Sequence, residues 1–241
     1  MKSAYLIEMT IFRDYAKQLV ALGALVSLCI GVGMQTPLAM PATLTCMFFM
    51  MSAMGLAAYD QLNHWELFRL TLPLSRRDIV LGRYAAIVTL GLIGMVVGFA
   101  GALVSIVAIG AMGIGGEIGG AFAFDSDLLS VMCVVTCFTL LIGSVVASVV
   151  TPLYFRLGQT RATQILPTII VLMFVIPVVI LGNSGMLDGG IPGMELLSGA
   201  LKALDTPTGM AAGCAILVAL SAVALCISAA ISLKLYEKRE L

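Results

Sequence analysis

The chain has 241 residues, 61% of them hydrophobic and 11% charged, where an ordinary soluble domain has roughly 45–50% apolar and 25% charged residues. That composition excludes a soluble globular domain and indicates a membrane protein. Acidic and basic residues balance at 13 each, so no bulk attraction to nucleic acid is expected and nucleic acid is not an expected partner.

Five runs carry no charge: 18–59, 84–116, 128–155, 162–187 and 206–233. Each supplies the roughly 20 apolar residues that cross the hydrocarbon of a bilayer. Leading into the first run, Tyr5, Met9, Phe12, Ala16 and Leu19 fall at helical spacing with Glu8, Arg13, Asp14 and Lys17 between them. This predicts an amphipathic elbow helix over 3–16, lying in the membrane interface. The charges before the apolar run, and the lack of a small-residue cleavage site after it, argue for a retained span and against a removed signal peptide.

The first run is too long for one span and is interrupted by "MQTPLAMP", whose two prolines and polar Gln35 and Thr36 suit a turn. The predicted fold is therefore all-α and polytopic, a single transmembrane domain over 1–241 with six spans. They lie near 17–35, 39–58, 82–112, 128–150, 164–182 and 209–232.

Between spans two and three stands "NHWELFRLTLPLSRRDIVLGRY", which holds the chain's one His and one Trp. Asn63 with Glu66 makes a capping-box pattern flanked by a Leu62 and Leu67 staple, predicting a short helix to about Thr71. Pro73 disfavours a helical Leu72 and ends it. Ser75 with Asp78 repeats the box, so a second helix starts there and runs unbroken into span three. Arg76, Arg77 and Arg83 on it are expected to anchor at anionic headgroups. The first helix is too short to be stable alone. Its residues Asn63, His64, Trp65, Glu66, Leu67, Phe68, Arg69 and Leu70 form the candidate partner-binding site. Two partners suit it: the membrane interface, which favours Trp, or a protein groove that receives an exposed helix.

Span three carries Gly91, Gly94, Gly98 and Gly101, with Gly94 and Gly98 in GxxxG spacing, which permits close helix contact within the chain or between chains. The connector after it, "IGGEIGGAFAFDSD", is Gly-rich and acidic and suits either a re-entrant backbone or a loop. In the connector 183–208, Met194, Leu197, Leu201 and Leu204 share one helical face, which predicts a short surface helix. All six cysteines fall in predicted spans. Cys133 and Cys137 are four apart, but no His, Asp or Glu stands near to complete a metal shell. They read as small apolar packing residues and no metal site is expected.

Twelve of the thirteen Lys and Arg lie before span one, in the connectors 59–84 and 152–163, and after the last span. The connectors on the other side hold Lys202 with six acids: Glu117, Asp125, Asp127, Asp188, Glu195 and Asp205. The positive-inside rule places both termini and the 59–84 connector in the cytoplasm. Apart from Lys17 and Arg83 near their ends, the predicted spans hold no Asp, Glu, Lys, Arg or His, which argues against a proton relay or intramembrane metalloprotease. Serines without a His or Lys base give no nucleophile. No lysine follows a glycine, so no phosphate-binding loop of the GxxxxGK[ST] type exists, and any ATP hydrolysis belongs to another chain.

The stretch "YDQLNHWELFRLTLPLSRRDIVLGRY" resembles the cytoplasmic loop between spans two and three in bacterial permease subunits of the type 2 ABC export class. Asn63, Trp65, Leu72, Pro73, Ser75, Arg76, Ile79, Val80 and Tyr84 match that pattern, while Gln61 stands where an acidic residue is expected. "TPLYFRLGQTRATQ" is similar to the family's second cytoplasmic loop at Pro152, Phe155, Gly158 and Arg161. The resemblance implies that the short helix is a coupling helix docking on a separate ABC ATPase subunit. Two ATPases, which hold ATP and Mg, would work with two permeases, the second a copy of this chain or a sister permease. It further implies a permease in a bacterial cell membrane, without an ATPase site of its own, that couples hydrolysis to export. The uncharged spans favour a hydrophobic or amphipathic substrate. A non-transporting membrane scaffold or immunity protein that binds a cytoplasmic partner through the same helix is the alternative.

Overall fold

The computed structural model describes residues 2–62, 75–113, 119–120, 122, 126–157, 168 and 206–237. Among the described residues the long elements are five helices: α1 (Lys2–Gly33), α2 (Ala39–Leu62), α3 (Arg76–Ala111), α4 (Ser126–Leu157) and α5 (Pro207–Glu237). All five are long and apolar enough to cross a membrane. Apart from residue 168, the sixth expected span, 164–182, lies outside the described residues, as do the surface helix expected around 194–204 and the short helix 63–71.

The expected elbow is not a separate element. Helix α1 runs without interruption from Lys2 to Gly33, because no proline or glycine precedes Gly23 and the amphipathic stretch continues in phase into the apolar one. Its buried residues Ala4, Glu8, Phe12, Leu19, Gly23, Ser27 and Gly31 form a single stripe. At 32 residues the helix is about 48 Å long, well beyond the roughly 30 Å of bilayer hydrocarbon.

The turn at "MQTPLAMP" is as expected. Gln35 adopts a left-handed conformation at φ 52°, the Thr36 amide donates to the Gly31 carbonyl at 3.0 Å, and the Gln35 amide to that of Val32 at 3.2 Å. These two bonds close a Schellman motif, and Pro37 prevents the helix from continuing. At the start of α3, the Ser75 hydroxyl accepts from the Asp78 amide at 3.1 Å, the predicted cap.

Helix α2 is the centre of the bundle. Half of its apolar stretch is buried, against 11% for α5, which packs on α4 and α3 at the rim with its apolar residues outward. The main core joins α1 to α4 through Phe12, Phe49, Leu56, Ile87, Leu90, Leu140 and Val146. The GxxxG contact lies within the chain. A Cβ on Gly98 would stand 2.6 Å from Pro41 Cα, and one on Gly94 2.6 Å from Phe48 Cβ, so α3 meets α2 at a distance only glycine allows. In the connector after α3, Phe122 is buried beside Met40, Ala102, Ile106 and Met132, closing the bundle at that end.

Candidate functional site

The charged residues gather where α1 and α3 begin and α2, α4 and α5 end. There Arg83 projects from α3 into the bundle. Its Nη2 donates to Glu8 Oε1 of α1 at 3.1 Å, its Nε reaches the same oxygen at 3.3 Å, and Nη2 also pairs with Asp60 Oδ2 of α2. The guanidinium lies over the Phe155 ring of α4, 5.8 Å from its centroid. Side-chain exposures of 4% for Arg83, 4% for Glu8 and 18% for Asp60 show a group enclosed by the bundle. The expected membrane anchor is thus an internal tie, because two carboxylates from neighbouring helices draw the guanidinium inward more strongly than exposed phosphates do.

Arg76 also contacts the bundle. Its Nη1 donates to the Tyr236 carbonyl at 2.9 Å, and its guanidinium stacks over the Tyr236 ring at 5.7 Å. Tyr236 in turn meets Phe155 edge-on at 5.2 Å. Ile79, Val80, Tyr84, Phe155 and Tyr236 form the small apolar core beneath these charges. Arg77 remains exposed.

A chain of hydroxyl groups crosses the same level between α3, α4 and α5. Pro152 lies inside α4; it has no amide hydrogen, so the Ser148 carbonyl loses its helical donor. The Ser228 hydroxyl of α5 donates to that carbonyl at 2.6 Å. With its proton so used, Ser228 accepts from Tyr84, 2.6 Å away, and Tyr84 accepts from Ser232 at 2.8 Å. The proline creates an acceptor, and the sheltered hydroxyls satisfy it where water is scarce. Thr45, Thr136 and Ser221 bond instead to their own helices, at the carbonyls of Pro41, Met132 and Leu217. Such bonds satisfy these hydroxyls within their own helices.

The predicted partner-binding residues Asn63, His64, Trp65, Glu66, Leu67, Phe68, Arg69 and Leu70 lie outside the described residues. Their two flanks are described: Asp60 stands two residues before the end of α2, and Arg83 two turns into α3. The ion pair between them clamps the stems of the connector, and Glu8 attaches α1 to the same clamp. Sequence reading did not find this triad. Its one signal was the presence of Glu8 and Asp60 beside apolar runs, with Arg83 at the mouth of another.

Among the described residues no group of three His, Cys, Asp or Glu side chains could hold a metal ion. The arrangement offers mechanical linkage between helices.

A family model described as ABC-2 family transporter protein matches residues 6–237. No curated protein and no solved structure matches the chain.

Proposed function

The chain belongs to the ABC-2 transporter family, a multi-pass permease subunit that works with an ABC ATPase, and we propose that it couples ATP hydrolysis in that separate subunit to export. Residues 63–70 dock on the ATPase as a coupling helix, with both termini cytoplasmic. Trp65 and Phe68 enter the groove and Arg69 pairs at its rim. Two permeases, copies of this chain or sisters, stand over two ATPases that bind ATP and Mg.

The observation that carries this reading is the Arg83 clamp. Asp60 and Arg83 hold the two stems of the connector together, and Glu8 extends the tie to α1. A push on the docked helix therefore displaces α1, α2 and α3 as one body, whereas unclamped stems would absorb it by bending. The substrate is hydrophobic or amphipathic, since the predicted spans carry charge only at Lys17 and Arg83, near their ends.

Affinity capture of the tagged protein from mild detergent, with mass spectrometry of what accompanies it, tests the assignment. An ABC ATPase recovered in stoichiometric amount is expected. Capture without any ATPase would favour the membrane scaffold reading.

A further inference from the structure

Beside the Arg83 clamp, α1 and α3 leave a cavity of about 350 Å³ between them, in the range of small-molecule pockets, roughly 300–1,000 Å³. Its origin is the path of α1. Near Lys2 this helix lies against α3: a Cβ on Gly82 would meet Ala4, and the Tyr5 hydroxyl reaches Thr89 Oγ1 at 3.3 Å. Farther along it leans on α2, where Gly23 abuts Leu44 and Gly31 abuts Met40. Past Phe12 the two helices part, and the wedge is walled by Ala16 and Val20 on one side and Leu90 and Ile93 on the other.

Arg13 and Lys17 stand at the edge of this apolar wedge, and both are exposed. Lys17 bonds Asp14 at 3.1 Å, a surface pair of little strength. Among the described residues Arg13 has no ion-pair partner. Two cations against one carboxylate leave a local charge that suits an anion. Counting roughly 20 residues back from Gly33 places 13–17 at the boundary between hydrocarbon and headgroups, with Val20 and Ile93 on the hydrocarbon side.

We propose that this wedge binds one anionic phospholipid of the adjoining leaflet, its phosphate between Arg13 and Lys17 and an acyl chain along Ala16, Val20, Leu90 and Ile93. The ligand braces α1 against α3 where the two helices part. Diffuse attraction of basic residues to a charged bilayer needs no cavity; the wedge selects a single lipid. The site is independent of the ATPase reading, and its test involves no transport.

The protein, purified in mild detergent, is titrated with phosphatidylglycerol or phosphatidylcholine, and retained lipid is read by native mass spectrometry. One phosphatidylglycerol is expected to be held in preference to phosphatidylcholine. Arg13→Gln with Lys17→Gln should weaken it by roughly thirty-fold, the product of two basic contacts. Ile93→Trp and Ala16→Leu, each of which fills the wedge with the charges intact, should displace it as well, in protein that remains monodisperse. Arg156→Gln, at an exposed cation on α4, should change nothing. Equal retention of both lipids, an equal loss with Arg156→Gln, or undiminished binding by both wedge-filling variants would overturn the site.

Discussion

Replacing Arg83 by methionine leaves Glu8 and Asp60 in place without the cation they share. Glu8 is almost wholly enclosed and has no easy route to water, so its charge is uncompensated. Breaking one partner out of such a buried arrangement costs about 3–5 kcal/mol, which for a chain of this size lowers the melting temperature by roughly 6–20 °C. The neutral triple variant, Glu8→Gln with Asp60→Asn and Arg83→Met, removes the stranded charges together with the cation. It should recover most of the loss, because a buried ion pair replaced by neutral groups of similar volume is often close to neutral in stability. Both are measured as the temperature at which half the protein leaves the monodisperse peak on size-exclusion chromatography in mild detergent. A single variant that melts with the wild type, or a triple variant as unstable as the single, would refute the claim that this cluster is a desolvated tie.

Further outcomes follow from the backbone and packing. Gly98→Ala should destabilise by about 1–3 kcal/mol through overpacking against the Pro41 backbone, whereas Gly101→Ala, whose Cβ meets nothing within 4 Å, should be tolerated; thermal unfolding of the pair in detergent separates them. Ser228→Ala should cost about 1–3 kcal/mol by stranding the Ser148 carbonyl. In a Pro152→Ala background, where the helix regains its own donor, the same change should cost far less, and a double-mutant cycle reads the difference. Gln35→Gly should raise the melting temperature slightly, by relieving about 1 kcal/mol of left-handed strain at φ 52°, while Gln35→Val should lower it.

Local chemistry was legible in the sequence where it was complete within a few residues. The Ser75 cap and the turn at Gln35 each rest on neighbours in the chain, and both stand as the residue pattern indicates. The tight glycine face of α3 was legible too, but not its partner, since GxxxG spacing records only that something comes close. The elbow was misjudged because Glu8, Arg13, Asp14 and Lys17 together resemble a wet face, whereas only packing reveals that Glu8 points to an arginine 75 residues away. Arg83 was misread for the same reason. An arginine at the mouth of a span is ordinarily an anchor, and its two acids lie on helices that the sequence does not order in space. The link from Pro152 to Ser228 is likewise invisible in one dimension: the proline announces an orphaned carbonyl, but the hydroxyl that satisfies it arrives from another helix.

The central claim is that residues 63–70 receive the force of ATP hydrolysis. It is tested most directly by reconstituting the permease with its captured ATPase in lipid and comparing ATP hydrolysis by wild type and by Trp65→Ala with Phe68→Ala and Arg69→Ala. The triple variant is expected to insert and melt like the wild type, yet to lose both association with the ATPase and its effect on the hydrolysis rate. Undiminished association together with an unchanged rate would contradict the account.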